Sequence, residues 1–163
     1  KAVFTYDAVD AGGLKYSAYR EIELDANSHF VKSVTTFCSI GHEADSMNVV
    51  LGAVTHDVIS RAQGENWIAF TEKASDSHQP EVDGNISIGL VYDKAELSDN
   101  IIAGVGDVAG HAAIITHEAV NKPITVWTGS GWSQGGVGDP QSWERKVEEF
   151  AMSTASPLKV AIR

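Results

Sequence analysis

A histidine placed just after a strand-like run is the first candidate for proton-transfer chemistry. His56 follows residues 46–54, where side chains alternate between two faces as in a strand. Histidine changes its charge near neutral pH, so His56 could act as a general base. Gly52 lies on the same predicted face and would leave space above the sheet for a ligand. The alternative is a solvated histidine at the end of a strand.

Two further candidates lie on a short aromatic run, residues 67–73. Trp67 could bind a sugar, because the C–H face of a sugar ring is apolar and stacks on an indole, and Glu72 could bind it through its carboxylate. Residues five apart on a strand face opposite sides, so both can line one site only if the strand bends. The alternative is a core tryptophan and a surface glutamate.

Another tryptophan follows the sequence Gly-Ser-Gly at 129–131. These residues predict a turn that leaves Trp132 with few bulky neighbours, so Trp132 could stack on a sugar or pack against the protein. For Trp127, on the other side of this turn, we favour a place in the core. Nothing in the sequence connects Ser130 to a base, so we assign it no catalytic role.

A third group lies on the second strand-like run. Arg20 could neutralise a carboxylate through two hydrogen bonds, and Tyr16 could transfer a proton. Alternation places Tyr19 on the face opposite Arg20, so only Tyr16 and Arg20 can act together. Strand packing with a surface arginine is the alternative.

The strong catalytic motifs are absent from the sequence: it contains no P-loop, dinucleotide-binding glycine motif, nucleophile elbow or His-Glu-x-x-His. The six histidines are scattered without metal-ligand spacing, so we predict no metal site from the sequence, although a site assembled from distant strands could not be recognised. The sequence requires no cofactor.

Alternation of side chains predicts an all-β chain with one C-terminal helix. Asp139 is a helix N-cap followed by Pro140 at the first helical position, and Pro157 ends the helix. Trp143, Val147, Phe150 and Ala151 form its apolar stripe. The predicted strands are 2–9, 14–25, 29–37, 46–54, 67–73, 85–92, 111–117, 124–128 and 158–162, with a short strand within 95–110 and an exposed loop at 74–83. Long strands with an external helix favour a β-sandwich.

Length and charge limit the possible functions. With 163 residues and 43% apolar residues, the chain is predicted to form one domain, or part of a larger one, with a hydrophobic core. The net charge of −10 argues against binding to nucleic acid or to anionic lipid. No run of about 18 apolar residues is present, so no membrane span is predicted. The first residues of the chain already have the pattern of a strand, so we expect the chain to be half of a larger sandwich. Its expected partner is the missing N-terminal half of the same protein.

Several segments in order resemble a bacterial domain-of-unknown-function family encoded in polysaccharide utilisation clusters for pectin, alginate and ulvan. The matching segments are 13–28 with its Leu-Asp-Ala-Asn-Ser end, 50–56, 66–72, 128–133 with Thr-Gly-Ser-Gly-Trp-Ser, 138–143 with Gly-Asp-Pro-Gln-Ser-Trp, and 156–159 with Ser-Pro-Leu-Lys. The resemblance implies part of a galactose-mutarotase-like β-supersandwich, a periplasmic or secreted location and an oligosaccharide substrate. It also implies a dehydratase that removes water from ulvan oligosaccharides.

Elimination of water from a uronic acid requires a group that neutralises the carboxylate, a base for the C5 proton and an acid for the leaving hydroxyl. We predict Arg20 in the first role, His56 in the second, and Tyr16 or a residue of the missing half in the third, with Trp132 stacking on the sugar. A non-catalytic sugar-binding sandwich is one alternative. The other is a mutarotase-type epimerase, in which His56 and Glu72 exchange the proton.

Overall fold

The computed structural model describes residues 1–43, 45–93, 100–103 and 110–156. The elements are β1 Ala2–Ala11, β2 Leu14–Leu24, β3 Phe30–Ile40, β4 Ser46–Thr55, β5 Val58–Gln63, β6 Trp67–Lys73, α1 Pro80–Asp83, β7 Asn85–Tyr92, β8 Asn100–Ala103, β9 Gly110–Ala119, β10 Pro123–Trp132 and α2 Pro140–Ala155. The all-β sandwich with a C-terminal helix is confirmed. The predicted strand at 158–162 and the helix stop at Pro157 lie outside the described residues.

The strands form two antiparallel sheets. The larger sheet has the strand order β1-β2-β3-β10-β7-β6-β5, and the smaller sheet has the order β4-β9-β8. In the larger sheet β10 lies between β3 and β7, so the last described strand of the chain joins the N-terminal meander to the β5–β7 meander. The sheet order therefore decides which candidate residues become neighbours.

The two sheets pack face to face through alternating side chains. On the larger sheet, Phe70, Leu90 and Tyr92 are fully or almost fully buried against Ala112 and Ile114 of β9. The same face of the larger sheet carries the residues that pair in register with these, because directly opposed residues on adjacent strands share a face. We call this the inner face of the larger sheet.

Helix α2 covers the opposite, outer face of the larger sheet. Its predicted N-cap is confirmed, since the Asp139 carboxylate accepts from the backbone N–H of Ser142 at 2.8 Å and the two residues form a capping box. Of the predicted stripe, Trp143, Val147 and Ala151 are buried. Its fourth member, Phe150, stacks on Phe30 with ring centroids 3.9 Å apart. The helix is thus attached mainly by aromatic packing.

The Gly-Ser-Gly segment is part of β10, so the turn predicted there is wrong. Gly129 pairs in register with Gly89; Gly89 lies under the helix, and Gly129 lies under the ring of Phe30. A Cβ atom on Gly89 would lie 2.7 Å from Val147 Cγ2, and one on Gly131 would lie 2.6 Å from Val137 Cγ2. The glycines are therefore needed for close approach of the aromatic layer rather than for a turn.

Two further elements differ from the prediction, and one part of the inner face is uncovered. Strand β5 was not predicted, and the expected loop at 74–83 contains the short helix α1. Among the described residues the smaller sheet has three strands, and Phe4, Tyr6 and Val9 on β1 of the larger sheet are 42–44% exposed. No helix in the described residues is long and apolar enough to cross a membrane.

Candidate functional site

His56 and Glu72 form a hydrogen-bonded pair. One carboxylate oxygen of Glu72 accepts from the backbone N–H of His56 at 2.8 Å, and the other lies 3.3 Å from His56 Nδ1. The Glu72 side chain is 11% exposed, whereas the His56 side chain is 45% exposed. The carboxylate is therefore buried behind an imidazole that solvent can reach.

Two contacts between β6 and the segment after His56 position this pair. Glu72 lies on the inner face of β6, and His56 directly follows β4 of the smaller sheet. The segment between β4 and β5 is fastened to β6 because the backbone N–H of Lys73 donates to the carbonyl of Asp57 at 3.0 Å. The side chains of Lys73 and Asp57 also form an ion pair of 3.1 Å. The short connection between the sheets thus places the imidazole over the carboxylate.

The pair has the arrangement of a general base with an orienting carboxylate. A carboxylate beside Nδ1 favours the tautomer in which Nδ1–H donates to Glu72, leaving the Nε2 lone pair to accept a proton. Nε2 has no hydrogen-bond partner among the residues that the structure describes. The His56 imidazole can therefore accept a proton from a molecule on its solvent side.

Gly52 does not contribute space at this site. Its neighbours Val50 and Val54 are 60% and 55% exposed, while Val49 and Leu51 pack toward the core. Gly52 therefore lies on the outer surface of the smaller sheet. The ring of His56 instead turns inward to Glu72 because His56 lies beyond the last residue of β4.

Trp132 lies at the end of β10 beside a cavity of 520 Å³. Its indole Nε1 donates to the carbonyl of Asp83 at 2.6 Å, and the side chain remains 46% exposed. Gly135 packs on the indole, since a Cβ atom there would lie 3.4 Å from Trp132 Cε3. The cavity is lined by His29, Ala74, Ser77, Asp83, Ile86, Ser130, Gly131, Trp132 and Gly135.

The strand register places Trp132 near the His56–Glu72 pair. Glu72 pairs with Ile86, and Ile86 pairs with Trp132, so the three residues form one row across β6, β7 and β10. Paired residues share a face, and neighbouring strands are about 4.8 Å apart, so Glu72 and Trp132 lie about 10 Å apart on this row. An acid–base pair and an aromatic surface therefore occur at the same end of the inner face.

Arg20 lies at the opposite end of the sheet. Arg20 pairs with Thr35, and Thr35 pairs with Ile124, so the row of Arg20 crosses β10 at Ile124. The row of Glu72 crosses β10 at Trp132. Eight residues of strand separate these two rows by roughly 26 Å. Arg20 and His56 therefore cannot act on one substrate group within this structure, which corrects the predicted set Arg20, His56 and Tyr16.

Tyr16 and Arg20 have local partners instead. The Arg20 Nε donates to Ser33 Oγ at 2.7 Å, and Arg20 is among the residues that line a mostly apolar cavity of 280 Å³ between the two sheets. Tyr16 is 4% exposed and packs edge-on against His42 with ring centroids 5.0 Å apart. The expectation that Tyr16 and Arg20 share a face is consistent with the register.

Trp67 does not reach the Glu72 site. It is buried in the cluster between β6 and α2, together with Trp143 and Val147, on the outer face of the sheet. The strand does not bend enough to bring Trp67 and Glu72 to one side. Trp127 is also on this face, edge-on to Phe150.

Sequence reasoning missed four polar residues near this end of the sheet. Arg61 pairs with Phe70 and so shares the inner face with Glu72, while His29, Ser77 and Asp83 line the Trp132 cavity. Residues 58–63 lie between Asp57 and Gly64, a strand signal that would have revealed Arg61. No sequence signal joins the other three, because His29 directly precedes β3 whereas Ser77 and Asp83 lie in the connection between β6 and β7. Among the described residues, no group of three or more metal-binding side chains occurs.

Comparison with solved structures supports the fold. A structure described as "Putative kojibiose phosphorylase from human microbiome" matches with a TM-score of 0.53 and 12% sequence identity. The match covers 92% of this chain but only 20% of that one, so the chain spans about a fifth of the length of that protein. At this identity the likeness establishes the fold alone.

Comparison with sequences places the chain in a family. No curated protein matches the sequence. The sequence model of the family described as "Domain of unknown function (DUF4861)" matches residues 1–160. The chain therefore belongs to the DUF4861 family.

Proposed function

We propose that this protein is a carbohydrate-active lyase that eliminates water from uronate-containing oligosaccharides of the ulvan type. The observation that carries the proposal is the His56–Glu72 pair, whose imidazole is open to solvent and lies on the same sheet end as Trp132. Two comparisons support a sugar substrate: the resemblance to a family from polysaccharide utilisation clusters, and the sugar-processing name of the structural neighbour.

The reaction needs a base that removes the C5 proton and an acid that protonates the leaving hydroxyl. His56 Nε2 takes the C5 proton of the uronate, the C–H electrons form the C4=C5 double bond, and the C4–O bond breaks. The departing hydroxyl leaves as water when it receives a proton, which the His56 imidazolium supplies if the hydroxyl lies on the same face. Glu72 stabilises the imidazolium and orients it throughout.

The uronate carboxylate must be neutralised for its C5 proton to become acidic. Arg20 lies too far away for this role, whereas Arg61 shares the inner face with Glu72 on the adjacent strand. Residues diagonal to one another on adjacent strands lie about 7–8 Å apart, which is within reach of an arginine side chain. We therefore assign carboxylate binding to Arg61 within this proposal.

The geometry favours elimination over epimerisation. An epimerase of the mutarotase type needs His56 and Glu72 as separate acid and base on the substrate. Both oxygens of Glu72 are instead directed at His56, one at its backbone N–H and one at its ring. Glu72 is therefore suited to orienting the histidine and not to contacting the sugar.

Near-ultraviolet absorbance tests the proposal, because elimination produces a conjugated 4,5-unsaturated uronate. The full chain is mixed with saturated uronate oligosaccharides from ulvan, pectin and alginate, and a rise with ulvan fragments is expected. His56→Ala should lower the rate by about 10²–10⁴-fold. His117→Ala is the matched control, since His117 is exposed on the smaller sheet and hydrogen-bonded to Asn48 at 2.9 Å.

The two alternatives give different results in the same experiment. A flat absorbance trace with calorimetric binding of oligosaccharide would replace the lyase by a sugar-binding domain. Full activity in His56→Ala would remove the histidine from the mechanism.

A further inference from the structure

The cavity beside Trp132 has the features of a binding site for one sugar unit. Its volume of 520 Å³ is within the range of about 300–1,000 Å³ typical of small-molecule sites. The indole is fixed in orientation by its hydrogen bond to Asp83 and by Gly135, so little conformational entropy is lost when a ring stacks on it. The exposed indole can receive the apolar face of a sugar.

Polar groups around the cavity could bind sugar hydroxyls. The hydroxyl oxygen of Ser77 is buried and has no hydrogen-bond partner among the described residues. A buried hydroxyl without a partner costs free energy, and a ligand hydroxyl in the cavity would satisfy it. The Asp83 carboxylate accepts one backbone N–H, from Gln79 at 3.2 Å, and can accept further hydrogen bonds.

The distance between the cavity and the His56–Glu72 pair determines which sugar would lie there. Glu72 and Trp132 are separated by two strand spacings, about 10 Å, with Ile86 between them. One pyranose ring does not span this distance, whereas two linked rings do. A sugar stacked on Trp132 is therefore the neighbour of a sugar that contacts His56.

We propose that the Trp132 cavity binds the sugar unit linked to the reacting uronate, so that the preferred substrate has at least two sugar units. This inference rests on the proposed function for the position of the reacting unit. Trp132 stacks on the neighbouring ring, and Ser77 and Asp83 bind its hydroxyls. The reacting uronate extends from the cavity across Ile86 to His56.

Binding measurements test the inference without depending on turnover. Calorimetry with the His56→Ala full chain compares glucuronic acid with ulvan fragments of two and four units. The fragments should bind, and glucuronic acid should bind at least tenfold more weakly. Trp132→Ala should weaken binding of the fragments by roughly tenfold, because it removes the apolar surface on which the sugar ring stacks.

Three further variants distinguish the loss of a contact with the sugar from a loss of protein stability. Trp132→Phe keeps a ring but loses the bond to Asp83, so its affinity should fall between wild type and Trp132→Ala. Ser77→Ala should weaken binding without lowering the thermal unfolding midpoint, because it removes a buried hydroxyl that has no partner among the described residues of the free protein. Tyr19→Ala is the matched control, because Tyr19 is an aromatic residue of 45% exposure that bonds to Glu21 on β2.

The outcomes distinguish this inference from the proposed function. Wild-type affinity in both Trp132→Ala and Ser77→Ala would overturn the cavity assignment. Glucuronic acid that binds as tightly as the fragments, and loses affinity in Trp132→Ala, would place the reacting sugar in the cavity and overturn the neighbour assignment. Fragment binding that depends on Trp132, with no absorbance rise in wild type, would support the sugar site and reject only the lyase.

Discussion

One carboxylate oxygen of Glu72 accepts the backbone N–H of His56 and the other lies 3.3 Å from its ring Nδ1, although Glu72 is on β6 of the larger sheet and His56 follows β4 of the smaller sheet. The carboxylate therefore stabilises the connection between β4 and β5 and orients the imidazole at the same time. Hydrogen bonds to an ionised acceptor are stronger than neutral ones, so this contact is suited to both tasks.

Replacement of Glu72 by glutamine should separate orientation from proton transfer. The amide has one acceptor oxygen for two donors of His56, so the imidazole loses its fixed orientation. We expect kcat to fall tenfold or more with KM nearly unchanged, a smaller loss than in His56→Ala. Steady-state absorbance kinetics give both constants. A raised KM with unchanged kcat would instead indicate that Glu72 contacts the substrate.

The same variant should be less stable than wild type. One donor of His56 would lose its partner at a buried carboxylate position, at a cost of about 1–3 kcal/mol. Urea unfolding measures this difference. Asp57→Asn is a useful comparison, because the exposed Lys73–Asp57 ion pair should contribute less than about 1 kcal/mol.

Replacement of Arg20 by methionine tests whether Arg20 is too far from His56 and Glu72 to take part in the reaction. Methionine is similar in length and removes only the charge and the bond to Ser33. Because the row of Arg20 lies roughly 26 Å from that of Glu72, elimination kinetics should be unchanged. Arg61→Met, on the inner face beside Glu72, should raise KM or lower kcat. The reverse result would return the carboxylate-binding role to Arg20.

A methyl group under helix α2 should destabilise the protein. In Gly89→Ala the new Cβ would lie 2.7 Å from Val147 Cγ2 and 3.2 Å from the Trp143 ring. Overpacking of this kind costs about 1–3 kcal/mol, to be measured by chemical denaturation. Gly52→Ala is the control, because its nearest contact would be an ordinary 3.4 Å and alanine is favoured over glycine in a strand. Equal stability of the two variants would contradict the close helix packing.

Loss of the N-cap of α2 should lower the stability of the protein by an amount that depends on the residue that replaces Asp139. Asp139→Ala removes the acceptor of the Ser142 N–H and should cost about 1 kcal/mol, whereas Asp139→Asn keeps a capping oxygen and should lose little. Thermal unfolding of the two variants measures the difference. Equal losses in both would show that the charge, and not the cap, is the source of stability.

Local patterns were sufficient to predict most elements. The strands 67–73 and 85–92 agree with the structure at both ends, because alternation of side chains and flanking turn residues are properties of adjacent residues. The start of α2 at Pro140 was predicted from its cap, which is equally local. Strand β5 was missed because its alternation is weak, and Arg61 was missed with it.

Pairing between strands could not be predicted from those patterns. The Gly-Ser-Gly segment at 129–131 has the composition of a turn, but here it provides space for the ring of Trp143 on a helix that follows it. Tertiary packing against the helix therefore decides the conformation of this segment and overrides the local preference of glycine for turns.

By itself the sequence determined the fold class, most of the described strands and the helix cap, and it identified His56, Glu72 and Trp132 as separate candidates. Only the tertiary structure decided that His56 meets Glu72, that Trp132 lies on the same row, and that Arg20 and Tyr16 lie at the far end. The reason is that strand order and register are set by non-local pairing of the whole sheet. Residues sixteen positions apart become hydrogen-bonded, while candidates on the same face of the sheet are separated by the length of a strand.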